Sequence, residues 1–311
     1  MDELVSVIIP SYNKQDFIEQ SIDSVINQTY KNIEIIVVDD CSSDKTLDIL
    51  KKYKNKIKLY VNNINKGASF CRNYGFKKSK GKYIAHLDCD DYYHKNKIFN
   101  SINYINKNDH FFIYTNVNLI NSYGKIIKNN NNIQSIGEGD ISKKLLLNEI
   151  SITNSTLVAR RECFNKIGLF DEKIFLAADR EMLTRLSLNY KAGFINEQLT
   201  FYRVHTNNMF INIDNTIKEF VYILYKNKNN NIFKNKNFFN TCLCNIYYNY
   251  SKFYIMFSDY KKSKKLLFKI LMSNIYYKNN HLVLLLILLV YLFPSFLKNY
   301  LRKKYLNYEA K

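Results

Sequence analysis

The stretch IEIIVVDDCSSD, Ile33 to Asp44, decides the fold. Ile33 to Val38 are β-branched apart from Glu34, and the run then stops in two aspartates and a serine turn. A strand wetted on one face alternates apolar with polar residues, whereas a strand covered on both faces reads as a near-continuous apolar run. Working outward, the same character returns in LVSVIIP (Leu4–Pro10), IKLYVN (Ile57–Asn62) and KYIAHLD (Lys82–Asp88), with a fifth run in HFFIYTNV (His110–Val117). Helical segments lie between them, near Gln15–Asn27, Asp44–Tyr53, Ala68–Ser79 and Lys97–Asn106. Strands alternating with helices predict an α/β fold built on a mostly parallel sheet with helices on both faces.

In such a sheet, ligands bind beyond the carboxyl ends of the strands. Three of these ends are polar: PSYNK (Pro10–Lys14), VVDDCSSD (Val37–Asp44) and LDCDD (Leu87–Asp91). Helix capping explains one acid per turn, but not Asp88, Asp90 and Asp91 together. Carboxylates that close repel one another unless a cation or hydrogen-bond donors collect there. Mg²⁺ or Mn²⁺, held by one or two carboxylates and by substrate phosphates, meets that need. Side chains two apart on a strand share a face, so Asp88 and Asp90 are expected together with Cys89 turned into the core.

Further along, residues 118–150 read as a hairpin and loop with Asn129–Asn132 at its tip. Ser151–Phe170 reads as a strand and a short helix. Leu176–Gly193 reads as a helix stopped by Gly193, and INEQLTFYRVH as a short strand pair. The polar stretch Lys226–Asn237 reads as a low-complexity break and a domain boundary, beyond which the chain reads as helical. These features predict a catalytic domain over 1–214 and a basic helical region over 215–311.

Composition narrows the classes. At 47% hydrophobic and 15% aromatic the chain is not disordered, and eight glycines with two prolines exclude a fibrous or linker-like protein. Its six cysteines show no metal-finger spacing and are expected as free thiols of a reducing cytosol. The opening MDELVSVIIP is not that of a signal peptide, so a cytoplasmic location is expected.

VSVIIPSYNK, IEIIVVDDCSSDKT, NKGASFCRNYGFKKSKGKYIAHLDCDDYYH and LAADREMLTRL resemble, in order and spacing, the family 2 glycosyltransferases of the GT-A fold. The resemblance covers roughly residues 4–205. It implies a nucleotide-sugar donor (a UDP-sugar first), a divalent metal and inversion at the anomeric carbon. Carried over by position, Pro10, Tyr12 and Asp40 line the pocket for base and ribose, with Asp39 beside it. Arg72 and Asn73 occupy an Ala-Arg-Asn position whose alanine is here Cys71. Asp88 reaches the ribose or the metal, Asp90 ligates the metal, and Asp91 supports that loop or caps a helix. The family's Asp-Gly-Ser is Asp40-Cys41-Ser42 in this chain. Asp179 is the implied base, in register with Arg185, although Ala178 replaces the first acid of the family's pair; the other reading of Asp179 is an acid favoured at the positive N-terminus of its helix. YRVH implies His205 near the metal, with a structural histidine as the other reading.

The net charge of +19 is unevenly spread: residues 1–214 carry a surplus of five cations, and residues 215–304 a surplus of fourteen. Twelve uninterrupted apolar residues, Leu282–Phe293, lie in that basic region, short of the roughly 20 a membrane span needs. Segment 282–304 reads as a docking element on an anionic inner leaflet, or as an ordinary packed helix. Docking fits a glycan or lipid-linked acceptor of cell-surface polysaccharide or lipopolysaccharide synthesis, with the enzyme peripheral on the inner face of the plasma membrane. A dehydrogenase lacks its G-x-G-x-x-G after the first strand. The alternative is a non-catalytic nucleotide-sugar or nucleic-acid binding protein using the basic tail; no RNA-binding motif is present, and no nucleic acid is expected.

Overall fold

The computed structural model describes residues 3–127, 137–204, 212–273 and 280–305, with side chains to residue 302. Two units emerge, one of Met1–Leu145 with Ile150–Asn208 and one of Leu146–Glu149 with Met209–Lys311.

The first unit runs β1 (Val5–Ser11), α1 (Ile18–Ile26), β2 (Ile33–Asp39), α2 (Thr46–Lys52), β3 (Lys58–Val61), α3 (Ala68–Lys78), β4 (Tyr83–His86), β5 (Tyr92–Tyr93), α4 (Lys97–Asn108), β6 (Phe112–Ile120) and α5 (Ser142–Leu146). A single 3₁₀ turn (Asn154–Thr156) then leads to β7 (Val158–Arg160), α6 (Arg161–Ile167), α7 (Ala178–Asn189) and β8 (Ala192–Arg203). The eight strands form one sheet in the order β3-β2-β1-β4-β7-β6-β8-β5. β3, β2, β1 and β4 are mutually parallel, and β7 enters antiparallel to both β4 and β6.

The β-branched runs are buried on both faces, as their lack of alternation requires. Val5, Val7 and Ile9 of β1 join Ile18, Ile22 and Val25 of α1 in one cluster, while Ile36 and Val38 of β2 pack with Cys71 of α3 on the other face. Each such side chain contributes about 1.5–3 kcal/mol on full burial. α3 lies so close to β1 that a Cβ added to Gly75 would stand 2.6 Å from Ile8 Cγ2.

Two readings of the second half are corrected. Gly193 does not stop a helix: α7 ends at Asn189, and Gly193 lies inside β8 opposite Ile113. A Cβ there would meet Ile113 Cγ2 at 2.7 Å, so close strand pairing is what requires this glycine. INEQLTFYRVH is likewise not a strand pair. Its described part belongs to one 12-residue strand, parallel to β6 with a register shift between Thr115 and Val117. The shift absorbs the polar interruption Asn196-Glu197-Gln198 without ending the strand. In the 118–150 region β6 continues to Ile120, an antiparallel bridge joins Ile120 to Ile126, and α5 adds an unexpected helix. The tip Asn129–Asn132 lies outside the described residues.

The second unit holds α8 (Ile213–Lys226), α9 (Lys236–Met256), α10 (Tyr260–Ser273), α11 (Asn280–Leu292) and α12 (Pro294–Tyr305). Its core has two centres. Leu146, Leu224, Phe233, Phe239 and Ile246 form one, and Ile255, Leu267, Ile270, Val283 and Leu286 lie in the other. Among the described residues no single helix is long and apolar enough to cross a membrane; α11 and the following helix pass that test together but are bent by 119°. All six cysteines are free.

Candidate active site

The polar ends of β1, β2 and β4 meet along one rim of the first unit, because parallel pairing in register brings Ser11 opposite Asp39 and His86 opposite Ile8. The turn after β1 is tied to the turn after β2. Asn13 N–H donates to Ser42 Oγ (3.0 Å), Ser43 N–H to Asn13 Oδ1 (2.8 Å) and Lys14 N–H to Thr46 Oγ1 (2.8 Å). These bonds leave Tyr12 standing out at 46% exposure, while Pro10 is buried within β1.

Asp39 and Asp40, expected at the nucleotide pocket, are engaged by the loops around them. Both are buried, at 0% and 3% exposure. Asp39 accepts from Ser42 N–H (3.0 Å) and Oγ (2.6 Å), while Asp40 accepts from Asn62 Nδ2 (2.8 Å) and from the N–H groups of Lys66 (2.9 Å) and Gly67 (2.7 Å). A carboxylate so engaged organises the loops around it before it can meet a ligand. Cys41, where the family's glycine would stand, holds φ 65°, a left-handed conformation that favours glycine. Asn73 likewise serves the framework, donating to Phe170 O (2.9 Å) and Glu172 Oε1 (2.8 Å).

The acids after β4 separate into two roles. Asp88 and Asp90 stay at the rim with side chains 27% and 17% exposed. Each carries a cation: Arg72 Nη2 stands 2.6 Å from Asp88 Oδ1, and Lys14 Nζ 2.7 Å from Asp90 Oδ2. Asp91 turns inward, accepting from Ser155 Oγ (2.6 Å) and Arg203 N–H (2.9 Å). Burial pushes its carboxyl well above the usual range, and Asp90 and Asp88 push it further. Cys89 is buried, as expected.

Asp179, in the first turn of α7, reaches the same place. Its Oδ1 lies 3.3 Å from Arg72 Nη1, so a single guanidinium, itself only 6% exposed, bridges Asp88 and Asp179. Burial raises the Asp179 carboxyl to about 6; Arg72 opposes the shift, Asp88 adds to it, and a bond from the Asn154 N–H opposes it. Arg185 does not enter the site. It clamps Glu181 bidentately (2.7 and 2.6 Å) and donates to the carbonyls of Ile167, Gly168 and Leu169, fixing α7 to the end of α6.

Several residues that sequence reading did not single out complete the rim. The 3₁₀ turn puts Asn154 N–H on Asp179, Ser155 Oγ on Asp91, and Thr156 C=O on the buried Lys97 ammonium (2.6 Å). Burial drives the Lys97 pKa well below that of an ordinary lysine. The Asn154 carboxamide is buried with no partner at either end among the described residues, a cost of about 1–3 kcal/mol per unmet group. Arg203 donates to Asp90 O (2.8 Å), to Asn121 O and Ser122 O, and to Gln20 Oε1 (2.6 Å), lacing α1, the acidic turn and the end of β6 together. Its only signal in the sequence was its place in YRVH; His205 of that motif lies outside the described residues.

Asp88 and Asp90 are hard oxygen donors of the type that hold a divalent cation, each ion-paired here, with Arg72 and with Lys14. Among the described residues no three His, Cys, Asp or Glu side chains converge on one point. Phosphate oxygens of a donor and water commonly complete the shell of such an ion.

Residues 6–168 match the family model described as glycosyl transferase family 2. Among curated proteins, the chain is 39% identical over 206 residues to an uncharacterized glycosyltransferase of Rickettsia typhi, covering 65% of this chain and 64% of the relative, less than two thirds of that protein's length. It is 36% identical over 217 residues to WfaP of Escherichia coli, a UDP-Glc:alpha-D-GlcNAc-diphosphoundecaprenol beta-1,3-glucosyltransferase, covering 68% of this chain and 81% of WfaP. Among solved structures, S. aureus TarS 1–349 in complex with UDP-GlcNAc shares the fold with a TM-score of 0.67 at 18% identity, over 87% of this chain and 81% of that 1–349 portion.

Proposed function

We propose that this chain, which belongs to glycosyl transferase family 2, moves a sugar from a nucleotide-sugar donor to a hydroxyl of a glycan or lipid-linked acceptor, with inversion at the anomeric carbon. The eight-stranded, mostly parallel sheet with flanking helices is of the GT-A type expected from the sequence. One observation carries the reading: Asp179 and Asp88 are tied through Arg72 at the same strand-end rim that presents Asp90.

In this reading Tyr12 and the loops fixed by Asp39 and Asp40 receive the nucleotide. Asp88 and Asp90 would hold Mg²⁺ or Mn²⁺, which would supply charge neutralisation for the departing nucleoside diphosphate. Asp179 accepts the proton of the acceptor hydroxyl as that oxygen attacks the anomeric carbon opposite the leaving group. Its raised pKa keeps it basic enough for that task, and Arg72 fixes the carboxylate in place.

UDP-Glc in the name of WfaP and the UDP-GlcNAc bound in the TarS structure support a UDP-sugar. WfaP's diphosphoundecaprenol acceptor supports a lipid-linked acceptor of surface-polysaccharide synthesis, and with it a place on the inner face of the plasma membrane. A nucleic-acid binding role leaves the rim of carboxylates without purpose. A donor panel read by released nucleoside diphosphate tests the proposal. Release from a UDP-sugar should vanish with chelator and fall by about two orders of magnitude or more in Asp90→Asn. Release that ignores both would refute metal-assisted transfer at this rim.

A further inference from the structure

The second unit carries a surface that transfer chemistry does not use. α11 is apolar all round, yet only half of it is covered. Val283, Leu286, Ile287 and Val290, at i, i+3, i+4 and i+7, are buried in the helical core. On the other side Leu284, Leu285, Leu288 and Leu292, with Phe293 and Phe296 beyond, are 50–67% exposed. A helix apolar on every face is ordinarily enclosed, and monomers rarely leave a contiguous apolar patch in water.

Charge says what covers it. Lys261, Lys265 and Lys269 of α10 and Arg302 of α12 are exposed, and Lys264 Nζ sits 3.3 Å over the ring of Tyr291 on α11. Residues 215–304 hold only Glu219 and Asp259 as acids. A second copy of the chain would bring like charges together around the patch, which penalises self-association. An anionic lipid surface meets cations and apolar side chains at once. Length sets the depth. Thirteen residues make α11 about 20 Å long, less than the roughly 30 Å hydrocarbon core, and the chain turns by 119° into α12.

We propose that the exposed face of α11 and α12 inserts as a bent wedge into one leaflet of an anionic bilayer, with the α10 lysines and Arg302 at the headgroups. It rests on the lipid-linked acceptor reading for its purpose, so donor turnover in solution is measured alongside and failure of either is seen separately.

The test is sedimentation of the full chain with vesicles of phosphatidylcholine, alone or with about 30% phosphatidylglycerol, in low salt and in about 0.5 M salt. Binding should be at least about tenfold stronger to the anionic vesicles, and weaker in high salt. Leu288→Glu with Phe296→Glu should lower it at least about tenfold, with the unfolding midpoint and donor turnover unchanged. If that pair unfolds, Leu285→Gln alone should weaken binding about threefold. The idea is overturned if the wild type ignores anionic vesicles, if folded variants bind as it does, or if the substitutions only convert a dimer to a monomer.

Discussion

Arg72 is where the site's electrostatics converge, since both carboxylates expected to act on the donor and the acceptor hydroxyl lean on one buried guanidinium. Asp179 can serve as a base only when ionised, and its carboxyl is raised to about 6, first by burial. For the free enzyme, kcat/KM should therefore climb about tenfold per pH unit below 6 and level off above it; a profile flat between pH 5 and 7 would remove Asp179 from that role. Asp179→Asn should abolish transfer while donor binding, followed by calorimetry, persists. The acids themselves were legible, because Asp88, Asp90 and Asp91 crowd a strand end and carry a family spacing. Their partners were not. Lys14 meets Asp90 across 76 positions and Arg203 meets Asp90 across 113, and no local pattern encodes contacts made by the fold.

At the scale of elements, both-face burial gave β1, β2 and β4 away, since near-continuous apolar runs have few other uses, while the edge strand β3 is only partly buried. The same rule failed at β8, where three polar residues interrupt a strand that a bulge carries past them. It also hid the meaning of Gly193, which makes room for the side chains of Ile113 and His110 rather than stopping a helix. Gly75→Ala puts a methyl group 2.6 Å from Ile8 Cγ2 at the α3–β1 contact. Overpacking of this kind costs about 1–3 kcal/mol, of which better helix propensity returns at most about 1 kcal/mol. Urea unfolding should show a net loss of about 1 kcal/mol, at most about 2 kcal/mol once the full helix-propensity return is subtracted; an unchanged midpoint would mean that Ile8 moves aside freely. α11 shows the limit from the other direction. Its low polarity announced burial, and only the packing of Val283, Leu286, Ile287 and Val290 tells which half is covered.

For the molecule as a whole, charge divides as the chain does, with the excess of cations in the helical region. If that region serves the meeting with a lipid-borne acceptor, its surface should matter only when the acceptor is in a bilayer. Leu288→Glu with Phe296→Glu should leave transfer to a short, water-soluble acceptor analogue intact and slow transfer to the vesicle-embedded acceptor at least about tenfold. Equal losses on both substrates would instead point to damage within the catalytic unit. The break expected at Lys226–Asn237 falls between α8 and α9, inside the second unit, while Leu146–Glu149 joins that unit from far upstream. Leu146 packs with Leu224, Phe233 and Phe239, and Asn245 Nδ2 donates to Leu147 O at 2.9 Å. Recombination that trades the helices as a simple 3′ gene cassette would strand these four residues inside a foreign partner. Shuffled descendants would then have to carry two coordinated splice points or rebuild a greasy seam, which makes this helical appendage an inherited companion of its own catalyst rather than an interchangeable accessory.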